Sequence, residues 1–102
     1  MFVQVGDLKL DVEHRLLYLN RSGSASLQLD PMEARLLATL MESPGQVVSR
    51  AHLMKRVWQT DYLDDTRTLD VHICWLRRKV EDDPAHPRRI ITHRNQGYQL
   101  RA

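Results

Sequence analysis

The segment from Thr66 to Val80 constrains the fold most strongly, because on a helical period it carries two faces of different chemistry. Its apolar residues recur at i, i+4, i+7 and i+11, and they form one core-facing stripe of Leu69, Ile73, Leu76 and Val80. The opposite face holds Arg67, Val71, Cys74 and Arg78, flanked by Thr68 and Trp75. That face has two arginines and no acid, whereas a solvated face usually mixes both signs. The pattern predicts an amphipathic helix whose outer face contacts a partner.

The segment after this helix predicts a β-hairpin. Residues 90–94 and 98–101 have the composition of two short strands, and Asn95-Gln96-Gly97 supplies a tight turn between them. An amphipathic helix followed by a hairpin with Arg94 at its tip is the plan of a winged helix.

The N-terminal part predicts a small antiparallel meander, because short apolar segments alternate with turn residues. Its four strands are expected at 2–5, 8–11, 16–19 and 26–29. Asp30, Pro31 and Glu33 then supply an N-cap, a proline at the first helical position and a capping-box glutamate. A first helix therefore begins at Pro31, and Ser43-Pro44-Gly45 ends it.

Two further helices are expected before the hairpin. A brief extended segment at 46–48 precedes the second helix, which Ser49 caps and which ends at Trp58. A polar loop at 59–65 leads to Thr66, the expected N-cap of the third helix. Pro84 should stop that helix at 82–83, because the residue before proline disfavours helical geometry. The acids at its end are expected to be solvated: Glu81, Asp82 and Asp83.

The length of 102 residues predicts a single domain, and the order of elements predicts the α+β class with a winged helix-turn-helix. Its expected parts are an N-terminal four-stranded antiparallel sheet at 1–29, three helices at 30–82 and a C-terminal β-hairpin wing at 88–102. Hydrophobic residues make up 42% and charged residues 27% of the chain, which argues against global disorder.

Positive charge is concentrated in the C-terminal part. Residues 1–65 contain seven Lys or Arg and nine Asp or Glu, whereas residues 66–102 contain eight and four, a net charge of +4. This asymmetry favours a polyanionic partner for the third helix and the hairpin, and nucleic acid is the usual polyanion for a cytoplasmic domain.

Composition disfavours other classes of function. No apolar run approaches the ~18 residues of a membrane span and the N-terminus lacks a signal-peptide pattern, so we expect a cytoplasmic protein without membrane contact. The five histidines have no ligand spacing and Cys74 stands alone, so neither a metal nor another cofactor is expected. A cysteine on a helix surface also lacks a base and an oxyanion hole, so we do not expect an enzyme.

Six separated stretches carry a family resemblance: LDPMEARLL at 29–37, SPGQVVSR at 43–50, VW at 57–58, TRTLDVHI at 66–73, LRRK at 76–79 and GY at 97–98. In this order and spacing they closely resemble the OmpR/PhoB-type winged-helix DNA-binding domain, the output module of two-component response regulators. The likeness spans nearly the whole chain, which makes it far more specific than one short motif.

The resemblance implies sequence-specific binding of double-stranded promoter DNA in transcriptional regulation. It implies that the recognition helix at 66–81 enters the major groove and that the wing at 90–101 reaches the minor groove. Contacts to phosphate or backbone are implied for Trp58, Arg67, His72 and Arg77. Base contacts are implied for Thr68, Val71 and Trp75, and Arg78 on the same face joins the DNA-binding set. In the hairpin, Arg94 resembles a minor-groove arginine and Tyr98 a backbone contact.

The resemblance also implies protein partners. The loop at 59–65 is similar to the segment that touches RNA polymerase in family members, and it comprises Gln59, Thr60, Asp61, Tyr62, Leu63, Asp64 and Asp65. Two copies are expected to bind head to tail on direct repeats. A covalently linked receiver domain and a cognate histidine kinase are implied for the full-length protein. The chain begins where the receiver would end, which favours an excised output domain over a regulator without a receiver.

This chain departs from the family pattern at the recognition helix and at the wing. Many members carry two arginines in place of Cys74-Trp75, so one phosphate contact and one guanine reader are absent. Trp75 is left with thymine methyl groups or deoxyribose as contacts. The wing usually runs Arg-Gly-x-Gly, whereas here Asn95 follows Arg94; because Asn tolerates positive φ, we expect the turn to survive. His93 is an additional candidate phosphate donor.

A second hypothesis is a winged helix that binds protein rather than DNA. The apolar character of Val71, Cys74 and Trp75 favours it, since aromatic residues are enriched at protein interfaces. Without the family resemblance, Trp58 and Tyr98 would be interpreted as core aromatics. Salt separates the two hypotheses, because binding that neutralises phosphates weakens steeply with ionic strength and an apolar protein contact does not.

Overall fold

Two antiparallel sheets and three helices make up residues 1–19 and 26–101, which are the residues that this computed structural model describes. The elements in chain order are β1 (Phe2–Val5), β2 (Leu8–Asp11), β3 (Leu16–Leu19), β4 (Ser26–Gln28), α1 (Pro31–Met41), β5 (Val47–Ser49), α2 (Arg50–Trp58), α3 (Arg67–Val80), β6 (Ile90–His93) and β7 (Gly97–Leu100). The residues between the third and fourth predicted strands, 20–25, and the last residue of the predicted wing segment, Ala102, lie outside the described residues.

The N-terminal sheet is the predicted meander, with strand order β1-β2-β3-β4. Alternate residues of its strands face the core, as in the pairs Val3↔Leu10 and Leu10↔Leu17. Leu10 and Leu17 are completely buried, because α1 covers this face of the sheet. The four predicted strands are confirmed, and β4 ends at Gln28, one residue before the predicted end.

Helix α1 begins where the sequence predicts, and its capping box also reaches α3. The backbone N–H of Glu33 donates to Asp30 Oδ1 at 2.8 Å, and the N–H of Asp30 donates to Glu33 Oε1 at 3.0 Å. The same Glu33 carboxylate, which is almost fully buried, accepts a hydrogen bond from Lys79 Nζ at 2.6 Å. The side chain of Lys79 is therefore not freely solvated. Its ion pair with Glu33 connects the end of α3 to the start of α1.

The buried stripe of α3 matches the periodicity of the sequence. All four predicted core residues are completely buried: Leu69, Ile73, Leu76 and Val80. They pack with the apolar faces of α1 and α2 in one hydrophobic core. The burial of this stripe fixes which side of α3 faces outward, and that side carries the candidate interface.

The hairpin belongs to a three-stranded sheet of order β5-β7-β6, in which the short strand before α2 pairs with β7. The sequence predicts an extended segment at 46–48 but not its partner. Gly97 pairs with Ser49 and lies so close to β5 that a Cβ atom at this position would be 1.9 Å from the carbonyl oxygen of Val48. This close approach holds the wing against the N-terminus of α2.

Helix α3 ends at Val80, earlier than the proline rule predicts, and the reason is the side chain of Glu81. The backbone of Glu81 is extended, and its carboxylate accepts hydrogen bonds from the N–H groups of Arg88, Arg89 and Ile90 at 2.8–3.0 Å. With 5% of its surface exposed, Glu81 is not the solvated acid that the sequence suggests. It connects the end of α3 to the start of the wing.

Candidate nucleic-acid interface

The outer face of α3 is exposed over its whole length. Val71 and Trp75 each keep 43% of their surface accessible, and all six residues that the sequence assigns to this face are exposed: Arg67, Thr68, Val71, Cys74, Trp75 and Arg78. Large apolar side chains at this level of exposure on a small domain indicate a surface that contacts another molecule.

A ring cluster supports the centre of this face. The imidazole of His72 lies between the indoles of Trp58 and Trp75, with ring centroids 5.1 Å and 4.9 Å apart. His72 Nδ1 is 2.8 Å from the carbonyl oxygen of Thr68, so a neutral imidazole donates through Nδ1 and keeps its other nitrogen as an acceptor. Trp58 is partly buried against the hydrophobic core. The cluster therefore connects the core to the exposed Trp75.

An ion-pair network fixes α3 relative to α2 and the wing. Arg50, the first residue of α2, donates to both carboxylate oxygens of Asp70 at 2.8 and 2.9 Å and to Thr66 Oγ1 at 2.6 Å. The hydroxyl of Tyr98 on β7 donates to the same Asp70 carboxylate at 2.5 Å. Asp70 thus joins three elements at the N-terminal end of the recognition helix.

The electrostatics of this network favour the charged pair. The hydrogen bonds from Arg50 hold the pKa of Asp70 below its usual value of 3.8. Burial, together with the neighbouring Asp70 carboxylate, raises the pKa of Tyr98 above its usual value of 10.0, so its hydroxyl stays protonated as a donor at neutral pH.

Half-buried Arg77 and buried Tyr98 both bind other elements of the domain. The guanidinium of Arg77 donates to the carbonyl oxygen of Ile90 at 2.8 Å and to Thr92 Oγ1 at 2.6 Å, and it lies 5.7 Å from the centre of the Tyr98 ring. Only 4% of the surface of Tyr98 is exposed. In this arrangement both side chains bind the wing to α3, so direct DNA contacts by them stay predictions.

The start of α3 is capped differently from the prediction. Thr66 occupies the N-cap position, but its side chain makes no capping bond; Asp65 Oδ1 instead accepts from the backbone N–H of Arg67 at 3.1 Å. Asp65 also binds the Arg67 guanidinium at 2.6 and 2.9 Å, and these hydrogen bonds lower the pKa of Asp65 to about 2. Arg67 is solvent-exposed in this pair, so a phosphate has access to it.

The tip of the wing presents Arg94. The turn between β6 and β7 comprises residues 94–96, and Asn95 adopts φ +63°, the left-handed geometry that the sequence expects it to tolerate. His93 Nε2 lies 2.7 Å from Gln99 Oε1. This intramolecular contact uses a ring nitrogen of His93, the residue that the sequence suggests as an additional phosphate donor. Arg94 is exposed at the end of this ordered hairpin.

The loop between α2 and α3 displays two apolar side chains. Gln59 ends α2 in left-handed geometry with φ +56°, and the hydroxyl of Thr60 accepts from the backbone N–H of Tyr62 at 3.1 Å. Tyr62 and Leu63 are both exposed. The predicted polymerase-contact loop thus exposes apolar side chains at its centre, and its last residue, Asp65, pairs with Arg67 on the outer face of α3.

The structure therefore exposes part of the predicted site on the outer face of α3 and part of it at the tip of the wing. The α3 face and the wing tip carry Arg67, Thr68, Val71, Trp75, Arg78 and Arg94, while His72 and Trp58 support it from behind. Sequence reasoning missed Arg50 and Asp70. The available signal was Asp70 itself, an acid in the first turn of a helix that otherwise carries basic residues. The helix dipole stabilises a negative charge at this position, and such an acid commonly pairs with a nearby cation.

The arrangement of α2, α3 and the hairpin defines a winged helix-turn-helix domain. Within residues 1–19 and 26–101, no helix is long and apolar enough to cross a membrane, and no group of three His, Cys, Asp or Glu side chains is placed to hold a metal. The chain belongs to the family described as "Transcriptional regulatory protein, C terminal", which matches residues 24–100. The OmpR/PhoB-type resemblance found in the sequence is thereby confirmed.

A sequence relative and two solved structures show the extent of the likeness. The sensory transduction protein RegX3 of Mycolicibacterium smegmatis is 41% identical over 98 residues, which cover 96% of this chain and 42% of the relative. The RstA DNA-binding domain of Klebsiella pneumoniae, solved in complex with the RstA box, is 31% identical with a TM-score of 0.84, covering 98% of this chain and 96% of that one.

The second structure is the response regulator DrrB, an OmpR/PhoB homologue from Thermotoga maritima. It is 31% identical with a TM-score of 0.81, and the match covers 99% of this chain and 44% of DrrB. The chain thus spans less than half the length of RegX3 and of DrrB.

Proposed function

We propose that this chain binds double-stranded DNA sequence-specifically and regulates transcription as the output domain of a two-component response regulator. The observation that carries the proposal is the outer face of α3. On this face of a winged-helix domain, exposed Arg67 and Arg78 lie on either side of the exposed apolar side chains of Val71 and Trp75. A helix of this kind fits the ~12 Å major groove of B-DNA. The family membership and the DNA complex of the RstA domain support the same function.

In the proposed complex the residues of the α3 face have two different roles. Thr68, Val71 and Trp75 face base edges, while Arg67 contacts a phosphate and Arg78 lies beside the bases. His72 is proposed to contact the DNA backbone through the ring nitrogen that does not bind the carbonyl oxygen of Thr68. Because phosphate contacts fix register and base contacts fix sequence, this division gives both affinity and specificity.

The wing is proposed to enter the adjacent minor groove through Arg94. The ordered turn at 94–96 holds this arginine at the end of the hairpin. A narrow minor groove at A·T-rich sequence attracts an inserted arginine through its enhanced negative potential. Arg77 and Tyr98 contribute by binding the wing to α3. A phosphate contact by the Tyr98 hydroxyl requires the loss of its hydrogen bond to Asp70. Arg77 binds Ile90 and Thr92 through Nε and Nη2 and has further N–H donors at Nη1.

The proposed partners beyond DNA follow from the family. Exposed Tyr62 and Leu63 support a contact between loop 59–65 and RNA polymerase. Two copies are proposed to bind head to tail on direct repeats, and a linked receiver domain and its histidine kinase are proposed to control the full-length protein. The site of action is the cytoplasm, where promoter DNA lies.

The experiment is selection of bound sequences from a random duplex library at two salt concentrations. We expect a direct repeat whose affinity falls steeply with salt, and we expect Arg67→Ala to reduce the slope of log K against log[salt] by about 1. Arg35→Ala, which removes an exposed arginine on α1, is the matched control and should keep the slope. No enrichment at either salt would contradict DNA binding by this chain and would favour the protein-binding hypothesis.

A further inference from the structure

We propose that Val71 and Trp75 read the C5-methyl groups of thymine in the major groove. This inference rests on the proposed DNA binding and names the base chemistry that the recognition helix selects. The two residues lie at i and i+4 on α3, so their side chains are neighbours, and each is 43% exposed. Together they form a continuous apolar surface at the middle of the outer face.

The indole of Trp75 is held in place before any partner binds. It packs on the His72 ring, which packs in turn on Trp58, and the His72 ring is fixed by its hydrogen bond to the Thr68 carbonyl oxygen. Trp58 is anchored against the core. An exposed side chain whose rotamers are restricted by ring contacts loses less conformational entropy on binding than a fully solvated one, so more of its contact energy is retained as affinity.

The chemistry of this surface matches one feature of the major groove. Val71, Cys74 and Trp75 offer aliphatic, thiol and indole groups, none of which makes a bidentate hydrogen bond to guanine or adenine. Among the groups that base pairs present in the major groove, the C5-methyl of thymine is the apolar one. The apolar surface therefore has a complementary partner in thymine.

The surrounding charge favours DNA over an apolar protein partner. Arg67 and Arg78 lie on the same helix face as the apolar surface, and both are exposed. Cations beside the apolar centre match a groove in which phosphates line the walls and methyl groups lie on the floor. This charge complementarity favours a DNA duplex as the occupant, and the apolar centre favours thymine within that duplex.

The test uses deoxyuridine, which lacks only the methyl group of thymine. A duplex selected by the protein is resynthesised with deoxyuridine at each thymine in turn, and the affinity of each duplex is measured for the wild type, Trp75→Ala, Val71→Ala and the control Tyr18→Ala. We expect one or two positions at which the wild type and Tyr18→Ala lose about three- to fivefold in affinity, the loss of one buried methyl group. Trp75→Ala should bind thymine and deoxyuridine equally there, and Val71→Ala should show a reduced difference.

A second substitution separates the methyl group from the rest of the base. At the sensitive positions, 5-methylcytosine should bind about three- to fivefold more tightly than cytosine to the wild type and no more tightly to Trp75→Ala. Losses below about twofold at every thymine, or the same loss in Trp75→Ala as in the wild type, would overturn methyl readout while leaving DNA binding intact. Failure to select any duplex would overturn the proposed function and this inference with it.

Discussion

Replacement of Asp70 by alanine tests whether the network that joins α2, α3 and the wing stabilises the fold. The change leaves the hydroxyl of Tyr98, a residue that is 4% exposed, without its acceptor, which costs ~1–3 kcal/mol. The Asp70 side chain itself is 46% exposed and Arg50 keeps its hydrogen bonds to Thr66, so loss of the ion pair adds at most ~1 kcal/mol. We expect the free energy of unfolding to fall by ~2–3 kcal/mol.

Urea denaturation of four variants measures this loss and its origin. Tyr98→Phe alone removes the donor together with its need for an acceptor and should cost ~1 kcal/mol. Combined with Asp70→Ala it should give a coupling energy of ~1 kcal/mol in a double-mutant cycle, because the two side chains share a hydrogen bond. Asp64→Ala, which removes an exposed acid in loop 59–65, is the control and should stay within ~0.5 kcal/mol of the wild type. A loss below ~0.5 kcal/mol for Asp70→Ala, or strict additivity with Tyr98→Phe, would refute the reasoning.

The pH dependence of this loss follows from the lowered pKa of Asp70. A carboxylate whose pKa is lower in the folded state contributes stability that is present above its unfolded pKa and is lost as pH falls through the folded value. The difference in stability between wild type and Asp70→Ala should therefore be constant near neutral pH and shrink below about pH 4. A difference that is unchanged at acidic pH would show that the ion pair does not cause it.

Three further changes test other parts of the structure. Gly97→Ala should cost ~3 kcal/mol in denaturant unfolding, because its methyl group collides with the Val48 carbonyl, whereas Gly45→Ala has open space at φ +79° and should cost only ~1 kcal/mol; equal losses would contradict this account of the close approach. Glu81→Gln should lower the thermal midpoint through a loss of ~1–2 kcal/mol, since an amide NH₂ then faces backbone N–H donors; an unchanged midpoint would mean that the carboxylate is not needed there. Arg94→Ala should weaken binding mainly to duplexes with A·T-rich flanks, measured by competition between flank variants, and an equal loss on all flanks would exclude the minor-groove assignment.

Local sequence signals predicted most of the fold because they act within one element. The i, i+4, i+7, i+11 period of α3 fixed its buried stripe, and the Asp30 and Glu33 capping box fixed the start of α1. The pairing of β5 with β7 was not predictable, since it joins residues about fifty positions apart and no local pattern specifies that contact. The end of α3 was also missed, because Glu81 binds N–H groups that only the folded wing brings within reach.

The candidate site could be predicted only as far as the outer face of α3. Exposure of Val71 and Trp75 follows from the helical period once the buried stripe is known. The hydrogen bonds of Arg77 and Tyr98 depend on acceptors supplied by β6 and by Asp70, and helical periodicity contains no information about these acceptors. The contact of the His72 ring with Trp58 likewise depends on the packing of α2 against α3, whereas its contact with Trp75 lies within α3.

Protection of Cys74 from alkylation tests most directly whether the outer face of α3 contacts DNA. Cys74 is the single cysteine of the chain and is exposed on this face, so reaction with iodoacetamide reports on one site. With a selected duplex present, the alkylation rate should fall in proportion to the bound fraction measured by fluorescence anisotropy, and a shuffled duplex should leave it unchanged. An unchanged rate on a saturating amount of the selected duplex would contradict the placement of α3 in the major groove.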